Sequence, residues 1–188
     1  MRWRSKFLAP KRAAAIILIA IILVAAHTAA AAWPRHIIDE KLRGADGVKL
    51  GDVDRDGNLD IVTGWEESGR TRIYFYPGVS NVKKAWPFVD IGETPSVEDA
   101  VFFDVNGDGW LDVISSCEGR EKTIYLHNNP ASGKQNFQEW PRTEFAASAG
   151  LMQWMFATPI AGSSDHSPAL IAGGKGLIVG GGGRLTSR

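Results

Sequence analysis

The chain has 188 residues, with 21 lysines and arginines set against 21 aspartates and glutamates. That balance removes any electrostatic case for nucleic acid or an anionic membrane surface as a partner. Its 21 glycines, seven tryptophans and eight phenylalanines accompany short apolar runs without an extended helical period, which predicts an all-β chain with many turns.

In chain order, Arg2, Arg4, Lys6, Lys11 and Arg12 form a basic start. The apolar run Ala13 to Ala26 follows, 14 residues long. As a helix it would span roughly 21 Å, short of the ~30 Å hydrocarbon core of a bilayer. Ala29 to Ala32 then offers A-x-A cleavage sites. Residues 1–32 are expected to be a secretory signal peptide, a signal helix outside the fold, with an uncleaved membrane anchor as the alternative. The expected location is secreted, periplasmic or at the cell surface, and membrane contact is expected only through an uncleaved signal segment. Cys117 is the one cysteine, so no intrachain disulfide can form. In an apolar strand it reads as a small buried hydrophobe.

Beyond residue 32 the chain repeats. "GDVDRDGNLDIVTGWEE" (Gly51 to Glu67) matches "FDVNGDGWLDVISSCEG" (Phe103 to Gly119) without a gap, 52 residues on. "RIYFYPG" from Arg72 echoes "TIYLHNN" from Thr123, and Trp-Pro recurs at Trp33, Trp86 and Trp140. A weaker third copy sets "ALIAGGKG" from Ala169 against "DVISSCEG" from Asp112, with "QWMFATPIAG" from Gln153 in the place of a first strand. Only Asp165 remains where the acidic loop stood. Each unit reads as four short strands in about 50 residues, the pattern of a propeller blade.

The repeats run over residues 33–84, 85–138 and 139–176, followed by a glycine-rich tail at 177–188 expected to be disordered or truncated. The expected fold is thus about three four-stranded β-propeller blades, an incomplete propeller, since closed propellers usually hold four to eight. Truncation is the favoured explanation. Open blade edges predict self-association. In a closed ring, Trp33 to Ile38 would complete the last blade as its outer strand.

In D-x-D-x-D-G-x-x-D the odd positions can turn toward one centre. Asp52, Asp54, Asp56 and Asp60 would supply carboxylates and Asn58 its backbone carbonyl, while Gly57 permits the bend. The second loop offers Asp104, Asn106, Asp108, the Trp110 backbone and Asp112. Clustered oxygen donors, several charged, suit a hard cation such as Ca²⁺, about two sites in all. Asn106 drops one charge, which predicts weaker binding in the second loop. An EF-hand fails because position twelve is Thr63 or Ser115 where a bidentate Glu is needed, and because β-branched strands flank the loops. An unmetallated Asp turn is the bland alternative.

The loops and their flanking strands resemble FG-GAP repeats, also called VCBS repeats, found in the propeller of integrin alpha subunits and in many secreted bacterial proteins. The resemblance covers roughly Ala32 to Gly176 and is strong in two repeats. "LRGADGVKLGDVDRDGNLDIVTGWEESGRTRIYFYPG" and "QWMFATP" are similar in particular to exported bacterial proteins of this kind. The resemblance implies a β-propeller with Ca²⁺ in the loop between the first and second strands of a blade, and no particular reaction.

Topology sets a second group of residues on the face opposite the loops, Asp46, Glu66 and Glu67 with Glu98, Asp99, Glu118, Arg120 and Lys175. Glu66 and Glu118 occupy equivalent positions, and Lys175 stands there in the third copy. Such a face could bind a cationic or hydroxylated ligand or hold an acid/base pair, though charged loop tips are ordinarily just solvated. No nucleophile motif or phosphate loop appears, and no catalytic or organic-cofactor residue is assigned. The expected function is an exported, calcium-binding, non-catalytic scaffold for adhesion or for an extracellular protein or glycan ligand. The alternatives are a polysaccharide lyase or hydrolase built on Glu66, Glu118 and Lys175, or a truncated product without independent function.

Overall fold

Four-stranded antiparallel sheets dominate the computed structural model, which describes residues 33–131, 138–150, 153–160 and 169–175. The expectations for residues 1–32, for Asp165 and for residues 177–188 lie outside the described residues. The chain divides into units at residues 1–36 and 37–188. Of the first unit only residues 33–36 are described, and they hold no strand.

Among the described residues the second unit carries three sheets. The first orders β1 (Ala45–Gly51), β2 (Asp60–Trp65), β3 (Arg70–Tyr74) and β4 (Phe88–Glu93) side by side. The second repeats this with β5 (Val97–Phe103), β6 (Asp112–Cys117), β7 (Ile124–His127) and β8 (Arg142–Glu144). The third pairs β9 (Gln153–Ile160) with β10 (Ala169–Lys175). Among the described residues there is no α-helix and no closed barrel, and the four-stranded sheets are propeller-like blades. Each complete sheet closes with the strand after the next Trp-Pro, one strand beyond the repeat as counted from Trp-Pro.

β5 packs on β1 and β2, and β9 on β5 and β6, so successive sheets stack face to face. Alternation along each strand sorts its side chains between two neighbours. Between the first and second sheets lie Val62, Ile73, Phe75, Val89 and Ile91 against Ala100, Phe102, Val113 and Trp140. Between the second and third lie Ile114 and Ile124 against Trp154, Ala157 and Leu170. Full burial of each such aliphatic side chain contributes about 1.5–3 kcal/mol. Glycines let the first seam close: a Cβ on Gly51 would stand 2.7 Å from Phe102, and one on Gly64 2.7 Å from Val97.

The strand ladders correct one sequence match. Ile61 pairs with Tyr74, and its counterpart Val113 pairs with His127. Tyr74 therefore corresponds to His127 and Arg72 to Tyr125, two residues away from the match of Arg72 with Thr123. The segment Trp33 to Ile38, expected as an outer strand, forms no ladder among the described residues. Ile38 nevertheless takes an outer strand's place beside the first sheet. Its carbonyl accepts the Trp86 N–H at 3.1 Å, as the Ile91 carbonyl of β4 accepts that of Trp140 at 3.1 Å.

Candidate metal centre

Between β1 and β2 the acidic loop folds onto its own carboxylates. Asp52 accepts the N–H groups of Asp56 (3.0 Å) and Gly57 (3.1 Å), and Asp54 accepts that of Asp56 at 3.2 Å. Asp56 accepts the backbone N–H of Asn58 at 2.7 Å and its side-chain amide at 3.0 Å. Gly57 takes φ +88° for the bend, a conformation open to glycine at little cost. Asp60, fully buried at the start of β2, accepts from Val53 at 3.0 Å and from Tyr76 at 2.9 Å. One carboxylate thus closes the loop and fastens the end of β3 to it.

The second loop repeats this geometry. Asp104 accepts from Gly107 (2.7 Å) and Gly109 (2.8 Å), Asn106 Oδ1 from Asp108 (2.8 Å), and Asp108 from Trp110 (2.8 Å). Buried Asp112 accepts from Val105 at 3.0 Å and Asn129 at 2.8 Å, as Asp60 does. Gly109 has φ +86°, matching Gly57.

In the first loop, oxygens of Asp52, Asp54 and Asp60 lie within 4.8 Å of one another. Asp56 and Asn58 sit exposed at the rim. A carboxylate has about four acceptor sites, so each can take one or two N–H groups and still face a cation. Burial pushes Asp60 up to about 6, opposed by its two N–H donors and reinforced by Asp54 and Asp56. Burial also raises Asp54, with Asp56 and then Asp52 adding repulsion. Asp112 is raised by burial in the same way, against its N–H donors Asn129 and Val105. These carboxyls are crowded and short of positive charge. An oxygen set of this kind fits Ca²⁺, and Asn106 replaces the carboxylate of Asp54 in the second loop.

Two residues that the sequence did not mark tie the loops together. The Arg55 guanidinium donates to the Gly109 carbonyl and stacks 4.1 Å from the Trp110 ring. The Asn129 amide donates to Leu111 O (3.0 Å) in its own sheet and to Val53 O (3.3 Å) in the first loop. The local motif gives no signal for either contact, because each depends on how two repeats pack.

The other predicted face also converges. Oxygens of Glu66, Glu98 and Glu118 lie within 4.8 Å of one another, and Lys175 Nζ meets Glu118 at 3.1 Å. Glu98 is raised by burial and then by Glu118, with Lys175 opposing and Glu66 and Asp46 adding. Glu66 and Glu118 follow the ends of β2 and β6, whose first residues are Asp60 and Asp112. Six extended residues separate the two acidic groups by roughly 20 Å.

Residues 52–115 match the profile of the FG-GAP-like repeat, which takes in both acidic loops and the strands β2 to β5 whole. Neither the curated proteins nor the solved structures yield a match to the chain.

Proposed function

Because the chain carries FG-GAP-like repeats on a propeller-type scaffold, we propose that it is an exported, non-catalytic binding scaffold whose acidic loops hold Ca²⁺. Asp52, Asp54, Asp56 and Asp60 with the Asn58 carbonyl form one site. Asp104, Asn106, Asp108 and Asp112 with the Trp110 carbonyl form a weaker second. The observation that carries this reading is the duplicated loop geometry, in which Asp52 and Asp104 each accept the N–H of the equivalent loop glycine, Gly57 or Gly109, together with the clustered oxygens of Asp52, Asp54 and Asp60 in the first loop. In a chain with one cysteine, the ion would do the fastening that disulfides do in other exported domains. The ligand would be an extracellular protein or glycan.

Binding to the folded state alone stabilises by about 2.7 kcal/mol at a ligand concentration a hundredfold above Kd. EDTA is therefore expected to lower the thermal midpoint by several degrees and Ca²⁺ to restore it, with Asp52→Ala removing the larger part of the effect. A melting curve indifferent to chelation would overturn the proposal.

The convergence of Glu66, Glu98 and Glu118 beside Lys175 favours a second reading, a polysaccharide lyase or hydrolase acting on the face opposite the loops. Turnover of acidic and neutral glycans, compared between the native chain and Glu118→Gln, tests it. Turnover unchanged by that substitution rejects the assignment.

A further inference from the structure

The two ends of the blade stack expose the two halves of a contact that the chain already makes twice. The strand ladders set the correspondence. Leu50 pairs with Ile61 as Phe102 pairs with Val113, which places Leu50 and Leu59 at the positions of Phe102 and Leu111, and the offset of 52 residues sets Val48 against Ala100. In the second sheet those residues face the first: Ala100 and Phe102 belong to the shared core and Leu111 packs against it. In the first sheet the same positions meet solvent, with Val48 and Leu50 each 60% exposed and Leu59 56%.

The other end is complementary. Ile160 pairs with the first residue of β10 as Phe103 does with the first of β6 and Gly51 with the first of β2. Ile171 opposite Thr158 likewise corresponds to Ile114 opposite Val101. Val101, Phe103 and Ile114 pack against the third sheet. Ile160 and Ile171, which would face a fourth, are 43% and 51% exposed.

We infer that the exposed face of the first sheet receives the exposed face of the third sheet from a second copy of this chain, head to tail, through the same sheet-on-sheet packing seen inside one copy. The occupant follows from register: the missing neighbour on each side needs the surface that the opposite end presents. Closed propellers hold about four to eight blades. Among the described residues one copy brings three sheets, and two copies bring six. A heterologous contact that closes gives a ring, so the dimer is the expected species. Ile38, already placed as an outer strand beside the first sheet, would then lie next to the partner's third sheet, which has two strands among the described residues. The inference rests on blade packing alone and is independent of the metal proposal.

The equivalence names the contacting pairs. A Cβ on Gly51 would lie 2.7 Å from Phe102 and 3.0 Å from Leu111. By register, Ile160 of one copy meets Leu50 and Leu59 of the other. Full-length chains carrying Leu50→Cys and Ile160→Cys, differently tagged, are mixed with Ca²⁺ present and oxidised. A covalent heterodimer is expected from the mixture, and none from either variant alone, since Cys117 is fully buried. A Leu50→Cys homodimer, or no cross-link, overturns the inference. A second variant guards against misfolding. Leu50→Asp alters an exposed side chain and is expected to weaken self-association at least tenfold by light scattering, with the circular dichroism spectrum unchanged. Association that survives Leu50→Asp, or a native chain that is monomeric at every concentration, equally overturns it.

Discussion

Arg72 shows how much of the first sheet's order rests on single side chains. Its Nε and Nη2 reach the two oxygens of Asp90 at 2.6 and 2.9 Å, Nη1 donates to Asp39, and the guanidinium lies 3.8 Å over the Phe88 ring. Asp39 also accepts the Tyr74 hydroxyl at 2.7 Å. Removing one partner of a buried ion pair strands the other charge, typically at a cost of about 3–5 kcal/mol. Arg72→Met is therefore expected to lower the unfolding free energy obtained from urea titration by an amount in that range, and an unchanged value would show that Asp39 finds another counter-charge. His127 is fully buried, hydrogen-bonded to Ser115 at 2.8 Å through Nε2, and burial with the nearby Arg142 charge lowers its pKa to about 3. The unfolded chain takes up that proton near 6.5, so between about 6.5 and 3 it binds more protons than the folded chain, and stability falls as pH falls. The slope due to this one group approaches about 1.4 kcal/mol per pH unit. The native chain is expected to lose stability faster on acidification than His127→Gln over that window, and parallel profiles would refute it.

At the scale of strands, the seams between sheets depend on missing side chains as well as on those present. With a Cβ on Gly64 only 2.7 Å from Val97, Gly64→Val forces the first two sheets apart. Overpacking of this sort usually costs about 1–3 kcal/mol. The expected readout is a lower urea midpoint, whereas Gly57→Ala leaves the seam untouched, because a Cβ on Gly57 would meet nothing within 4 Å and its cost is local to the loop. The strands on either side of the acidic loop were legible in the sequence because the two copies align there without a gap. The register of the third strand was not. β2 and β3 are joined by four residues, but β6 and β7 by six. A slip of two residues keeps every side chain on its own face, so the apolar pattern of "RIYFY" and "TIYLH" gives no sign of it.

At the scale of the molecule, the four-stranded blades and the two aspartate loops were readable because each is local: a motif, its flanks and a period. Glu66 and Glu118 were readable as repeat equivalents and Glu98 from the topology of the blades, and the pairing of β5 with β6 brings the three together. The Asp39–Arg72 pair spans 33 residues and the Arg55–Gly109 bond 54, and no local pattern encodes either. Every ladder among the described residues joins strands that are neighbours in the chain. The stack is therefore close to one-dimensional, with each sheet leaning only on the next. In a single, unassociated copy of such an array local opening begins at the ends. β6 has all six residues buried and lies in the sheet covered on both faces. Its amides, from Val113 to Cys117, should be the last to exchange with deuterium, and those of β10 among the first. The central blade would then set the lifetime of the fold, while the outer sheets open and close many times before it does.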